Sequence, residues 1–151
     1  MPAGFERDYL VLLHDVARLM RTKADQLARS TMGMTRAQWI ILFRLEQSPG
    51  LSQKELASIL EVEPITVGRL VDKLEARELV KRCADPRDRR IWRLALTPKA
   101  EPILEQMHVH REEFRKFLDA GIDRPLLEAM TDGLLKMKAN LTAGDTAADA
   151  K

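Results

Sequence analysis

Residues 84–93 carry four arginines (Arg87, Arg89, Arg90 and Arg93) and two aspartates (Asp85 and Asp88) around a single proline. From Lys81 to Arg93 six basic residues stand against two acidic ones, a local +4 on a chain whose net charge is only +2. Guanidinium groups at that density suit a polyanionic partner, and interleaved carboxylates can orient them. A solvated turn needs no such concentration. A second set lies upstream, where Thr66, Arg69 and Lys73 recur at spacings of three and four and so stack on one face of a helix.

Other chemistry finds no support. His108 and His110 stand two apart on a helical stretch and point in different directions, and His14 is remote, so no metal site is expected. Phosphate loop, dinucleotide fingerprint and nucleophile motif are all missing, which argues against an enzyme and against any cofactor. Cys83 is the one cysteine, read as a small strand residue. It has no partner for an intrachain disulfide, which fits a reducing cytoplasm. The chain shows neither a secretory signal nor an apolar run of about 20 residues that could span a membrane. Its 151 residues, 45% hydrophobic and 32% charged, suit one globular domain with helical extensions.

The elements that must position these residues follow from periodicity. Tyr9, Leu12, Leu13, Val16, Leu19, Met20 and Leu27 predict an amphipathic helix over about 6–30. Thr35-Arg-Ala-Gln38 has the form of a capping box, opening a second helix through about Leu45. Ser52-Gln-Lys-Glu55 is another, opening a short third helix. Pro64 suits the first turn of a fourth helix, which turns Val67, Leu70, Val71 and Leu74 inward and its polar face outward. Two short helices around a tight turn make a helix-turn-helix.

Two strand-like runs follow, "LVKRC" and "IWRLALT", joined by the arginine-rich turn, with Trp92, Leu94 and Leu96 on the alternating inward face. A hairpin with arginines at its tip completes a winged helix. Thr97-Pro98 then caps a helix through about residue 118, and a last helix ends near Leu141. The fold class is therefore mainly α with a small β-hairpin wing, a winged helix-turn-helix flanked by dimerisation helices. Residues 1–33 form the N-terminal dimerisation helix, 34–97 the DNA-binding region, 98–141 the C-terminal dimerisation helices and 142–151 a disordered tail. The flanking apolar stripes exceed what a small DNA-binding unit needs, so a homodimer is expected, with two recognition helices for a palindromic site.

With these elements in this order, "MTRAQWIILFRL", "LSQKELASILEV", "RLVDKLEARELVKR" and above all "DPRDRRIWRLALTPKAEPIL" make the chain resemble the MarR family of bacterial transcription regulators, its SlyA branch most closely. The resemblance spans about residues 9–141. It implies a regulator that binds double-stranded DNA as a homodimer. Thr66 and Arg69 would reach base edges, with Ile65 in apolar contact, and arginine can donate bidentately to guanine. Ser52, Gln53, Lys54 and Lys73 would touch phosphates, Ser52 also serving as a helix cap.

By the family's pattern Arg89 would enter the minor groove. Arg90 would pair with Asp72 and lock wing to recognition helix, Asp88 would hold the tip, and Arg87 would approach the backbone. Glu78 stands where the family usually has glycine, so helix and strand are expected to join differently here.

Trp39 and Phe43, one turn apart, are either plain core or, as the resemblance implies, part of a pocket for an aromatic carboxylate. Arg18 or Arg21 would then pair with the carboxylate. The leading expectation is a repressor released by such a small effector. The alternatives are a ligand-independent winged-helix regulator, an anti-silencing architectural protein, or an interaction module that never touches DNA.

Overall fold

The computed structural model describes residues 4–148. Its elements run α1 (Tyr9–Met32), α2 (Arg36–Gln47), α3 (Gln53–Leu60), α4 (Pro64–Ala76), β1 (Val80–Ala84), β2 (Trp92–Leu96), α5 (Glu101–Leu118) and α6 (Arg124–Ala148). This is a winged helix-turn-helix with additional helices on both sides. The chain divides into two compact units within α5, between Gln106 and Met107.

Short polar side chains set the helix starts. Asp8 accepts the Leu10 N–H at 2.8 Å and begins α1. Both expected capping boxes are complete: the Gln38 and Glu55 N–H groups donate to the Thr35 and Ser52 hydroxyls at 3.3 and 3.1 Å. In return, Gln38 and Glu55 accept the Thr35 and Ser52 N–H groups at 3.0 and 2.6 Å. Each pair satisfies two amide donors that the first helical turn leaves without partners. Pro64 opens α4. Thr97 departs from its expected capping role, because its hydroxyl donates to the Glu78 carbonyl and ties the end of β2 to the end of α4.

The first unit's core is drawn from every element of the winged helix. Ile41, Leu42 and Leu45 of α2, Leu56 of α3, Val67, Val71 and Leu74 of α4, and Leu94 of β2 are all at most 1% exposed. β1 and β2 pair antiparallel from Val80 opposite Leu96 to Ala84 opposite Trp92. On the other edge of β2, the Leu94 N–H donates to Leu51 O at 3.0 Å and the Gly50 N–H to Leu94 O at 3.2 Å. β2 is thus held on both sides, by β1 and by the segment leading into α3. Only Leu94 of its expected inward trio is fully buried, and Trp92, nearest the tip, is 47% exposed. The hairpin extends beyond the helices it packs against.

Helix α4 ends on Glu78 with φ +58°. The Glu78 N–H reaches Glu75 O at 2.8 Å and the Leu79 N–H reaches Leu74 O at 3.0 Å, the paired bonds of a Schellman motif. Helix and strand therefore join as they would with glycine, correcting the expectation of a different join. Glu78 holds the left-handed conformation while its carboxylate pairs with Lys99, whose ammonium keeps that carboxyl below its usual range. A left-handed L-residue costs roughly 1–2 kcal/mol, and the extra freedom of an unfolded glycine offsets roughly half of that. Both partners of the ion pair are mostly solvated and lose little on parting. Glu78→Gly is therefore expected to stabilise the protein by about 0.5 kcal/mol in urea unfolding; a lower midpoint would show that the Lys99 pair outweighs the strain.

The flanking helices leave broad apolar surface in solvent. On α1, Tyr9, Leu12, Leu13, Val16, Leu19 and Met20 are all exposed. In the second unit, Phe117, Leu126, Met130, Leu134 and Leu141 are exposed as well. Asp123 accepts the Leu126 N–H at 3.0 Å at the start of α6. That helix continues to Ala148, so residues 142–148 are helical rather than part of a disordered tail; residues 149–151 lie outside the described residues. Residues 142–148 are small and carry no apolar stripe, yet three of the seven are alanine, the strongest helix former.

Candidate nucleic-acid interface

Helix α4 offers two kinds of exposed side chain, unbonded and bonded. Ile65, Thr66, Arg69 and Lys73 are exposed, and none of the four makes a side-chain hydrogen bond or ion pair among the described residues. Ile65 is 66% exposed, an apolar group fully offered to whatever docks there. Asp72, also exposed, is by contrast engaged in an ion pair with Arg82. Of the other expected phosphate contacts, Lys54 is exposed and unbonded, Ser52 is buried with its hydroxyl on the Glu55 N–H, and Gln53 turns its carbonyl to Arg82. An open groove beside the α3–α4 turn is lined by Lys54, Ser58, Glu61, Glu63 and Thr66.

Two carboxylates build the wing tip. Asp85, almost buried, accepts the Arg87 N–H at 2.7 Å and the Asp88 N–H at 3.2 Å on one oxygen, and Arg93 Nε at 2.8 Å on the other. The Arg93 guanidinium above all, then those two amides, hold the Asp85 carboxyl below its usual range. Asp88 accepts the Arg90 N–H, Nε and Nη2, each at 3.0 Å, and its carboxyl is likewise lowered, chiefly by that guanidinium. Both acids are therefore ionised at neutral pH, and the turn is fixed by its own side chains. The Arg87 and Arg89 side chains, exposed, bond to nothing among the described residues.

The expected lock between Arg90 and Asp72 is not formed. Arg90 is consumed by Asp88 at the tip, and Asp72 pairs instead with Arg82 of β1, at 2.7 Å. Arg82 does more than replace it. Its Nε donates to Gln53 Oε1 at 2.8 Å, Nη1 to Glu75 at 3.1 Å, and Nη2 also to the Gly68 carbonyl at 3.2 Å. One guanidinium thus joins α3, α4 and the wing. On the opposite strand Arg93 bonds Asp85, the Gly50 carbonyl at 3.3 Å and Glu55 at 3.2 Å, fixing the wing to the start of α3. Neither hub was identified from sequence. The signal lay in the strand period: Val80, Arg82 and Ala84 share a face, and Val80 is buried, so Arg82 must face inward.

Trp39 and Phe43 are half-buried on α2. Arg18 is exposed and lies 3.6 Å from Asp15 on its own helix, and Arg21 is exposed. Cys83 is exposed on β1, opposite Arg93. Among the described residues no three His, Cys, Asp or Glu side chains gather to hold a metal, and no helix is long and apolar enough to cross a membrane.

The family model described as MarR family matches residues 32–91, the stretch from the end of α1 through the wing tip. Solved structures extend the likeness over most of the chain. The transcriptional regulator PA3341 is 32% identical, with a TM-score of 0.79 over 90% of this chain and 99% of that one. MepR of S. aureus, solved in complex with DNA, is 27% identical, with a TM-score of 0.72 over 91% and 99%. The transcriptional regulator SlyA, at 21% identity and TM-score 0.76 over 91% and 96%, shares the fold.

Proposed function

The chain belongs to the MarR family, and on that premise we propose that it is a homodimeric, DNA-binding transcription repressor of the cytoplasm. The observation that carries this reading is the division of labour among its cations. Arg82 and Arg93 tie the wing to the helices and Arg90, though exposed, is bonded to Asp88 within the tip, while Arg69 on α4 and Arg87 and Arg89 on the wing stand unbonded in solvent. Arg69, with Thr66 and Ile65, reads base edges in the major groove. Arg89 enters the minor groove, where negative potential is concentrated, while Lys54, Lys73 and Arg87 contact phosphates. MepR in its DNA complex supports the same use of this fold.

The exposed apolar faces of α1 and of the second unit support pairing with a second copy, which sets two recognition helices on a pseudo-palindromic site. Trp39 and Phe43, with Arg18 or Arg21, are the candidate receptors for a small aromatic carboxylate that releases the DNA. Such an effector acts only through its different affinity for the bound and free forms.

The test is anisotropy of a labelled duplex from the region upstream of the gene, titrated at several salt concentrations. Arg69→Ala is expected to weaken binding by roughly 5- to 150-fold for each half-site of the dimer, the value of a bidentate base contact. Arg89→Ala, lost from both copies of the dimer, is expected to weaken it and to reduce the salt slope by about two. Binding that ignores salt and both arginines would remove the DNA reading. A panel of aromatic acids then tests release in the same assay.

A further inference from the structure

Trp92 is 47% exposed on a strand whose next inward residue, Leu94, is completely buried. The register puts Ala84 opposite it, and a single methyl group is too small to cover an indole. Trp92, Leu94, Arg82 and Ala84 share one face of the hairpin, and Arg82 on that face bonds α4 at Gly68, Asp72 and Glu75. Trp92 therefore stands between the recognition helix and the wing tip, one strand step outward from the last buried residue. Its indole N–H has no partner among the described residues.

We infer that Trp92 docks on the sugar–phosphate backbone of the DNA strand that passes from the major groove under α4 to the minor groove under the wing. This rests on the DNA-binding reading above and adds a positioning residue to it. The occupant follows from charge: unbonded Arg69 is on α4, the helix to which Arg82 ties this face of the hairpin, and unbonded Arg87 and Arg89 are in the turn just before Trp92, so a duplex held by both elements brings its backbone across the strand between them. An indole suits that place, because its N–H can donate to a phosphate oxygen while its apolar face covers deoxyribose. It carries no charge, so the contact releases no counterion.

That last point makes the contact separable from those of the arginines. The probe is a labelled duplex selected by the wild-type protein from a randomised library. Trp92→Ala is expected to weaken binding about tenfold at every salt concentration with the slope unchanged. Trp92→Phe, which keeps a ring and loses the donor, falls between. In a Trp39→Phe background Trp92 is the only tryptophan, and its quenching by neutral acrylamide is expected to drop when duplex is added.

Unchanged affinity of a folded Trp92→Ala, or equal quenching in free and bound protein while anisotropy reports a complex, overturns the docking and leaves the DNA reading intact. Protection that grows with protein concentration in the absence of duplex assigns the ring to a contact between copies, and also overturns it. If the wild type selects no duplex even at low salt, the DNA reading itself falls and the docking with it.

Discussion

Arg82→Ala is expected to lower the unfolding free energy by about 2 kcal/mol and to weaken DNA binding by more than tenfold, although the Arg82 guanidinium is fully engaged within the protein. Its side chain is only one-fifth exposed. The two carboxylates it pairs with are 66% and 44% exposed, so once released they are solvated, and the ion pairs themselves contribute little. The larger loss is of bonds to Gln53 and the Gly68 carbonyl, since a partly buried polar group left without a partner costs roughly 1–3 kcal/mol. Function suffers more than stability, because the same guanidinium sets the wing against α4. Urea unfolding and duplex anisotropy together test this. A variant that unfolds like wild type and binds DNA like wild type would show that the hairpin and helix are aligned by the apolar core alone.

Leu94→Ala carries the largest expected stability loss, about 3 kcal/mol, within the range for truncating a buried leucine. Leu94 has no exposed surface and occupies the centre of β2, with its amide and carbonyl bonded to the segment before α3. Removing its side chain leaves a void in the layer shared by wing and helices, and the backbone bonds on both sides limit collapse into it. Leu96→Ala, at a half-buried position of the same strand, serves as the control and is expected to cost less than half as much. The comparison must be made at one protein concentration, since association stabilises the folded form by mass action. Equal losses at the two positions would mean that the strand is held by its register rather than by the core.

Much of this architecture was legible in the sequence because local chemistry and the tertiary fold agree. The capping boxes at Thr35 and Ser52 and the proline at position 64 mark helix starts by bonds made within a few residues. What failed to show needed knowledge of the neighbours. Arg82 and Arg90 are both arginines near the wing, and only the strand register, with Val80 buried, decides that the former faces α4. Trp92 follows the inward alternation and is still exposed, because the pattern tells which face a residue takes but not how far the opposing helices reach. Thr97 has the chemistry of a cap and uses its hydroxyl on a longer-range partner, the Glu78 carbonyl. Glu78 itself adopts the conformation that its residue type disfavours, since two backbone bonds from the end of α4 demand it.

The division between bonded and unbonded side chains on α4 bears on how such a protein diverges. Asp72 is tied to the wing, so a change there is felt throughout the scaffold. Ile65, Thr66 and Arg69 make no side-chain bond in the fold, so on the proposed DNA-binding reading substituting them is expected to alter which DNA is read while leaving folding nearly neutral. After gene duplication, a copy could drift to a new operator through single steps at these three positions, each intermediate still folded. Stability would screen out mutations at the hubs, and selection on regulation would be left free to explore the face that meets DNA.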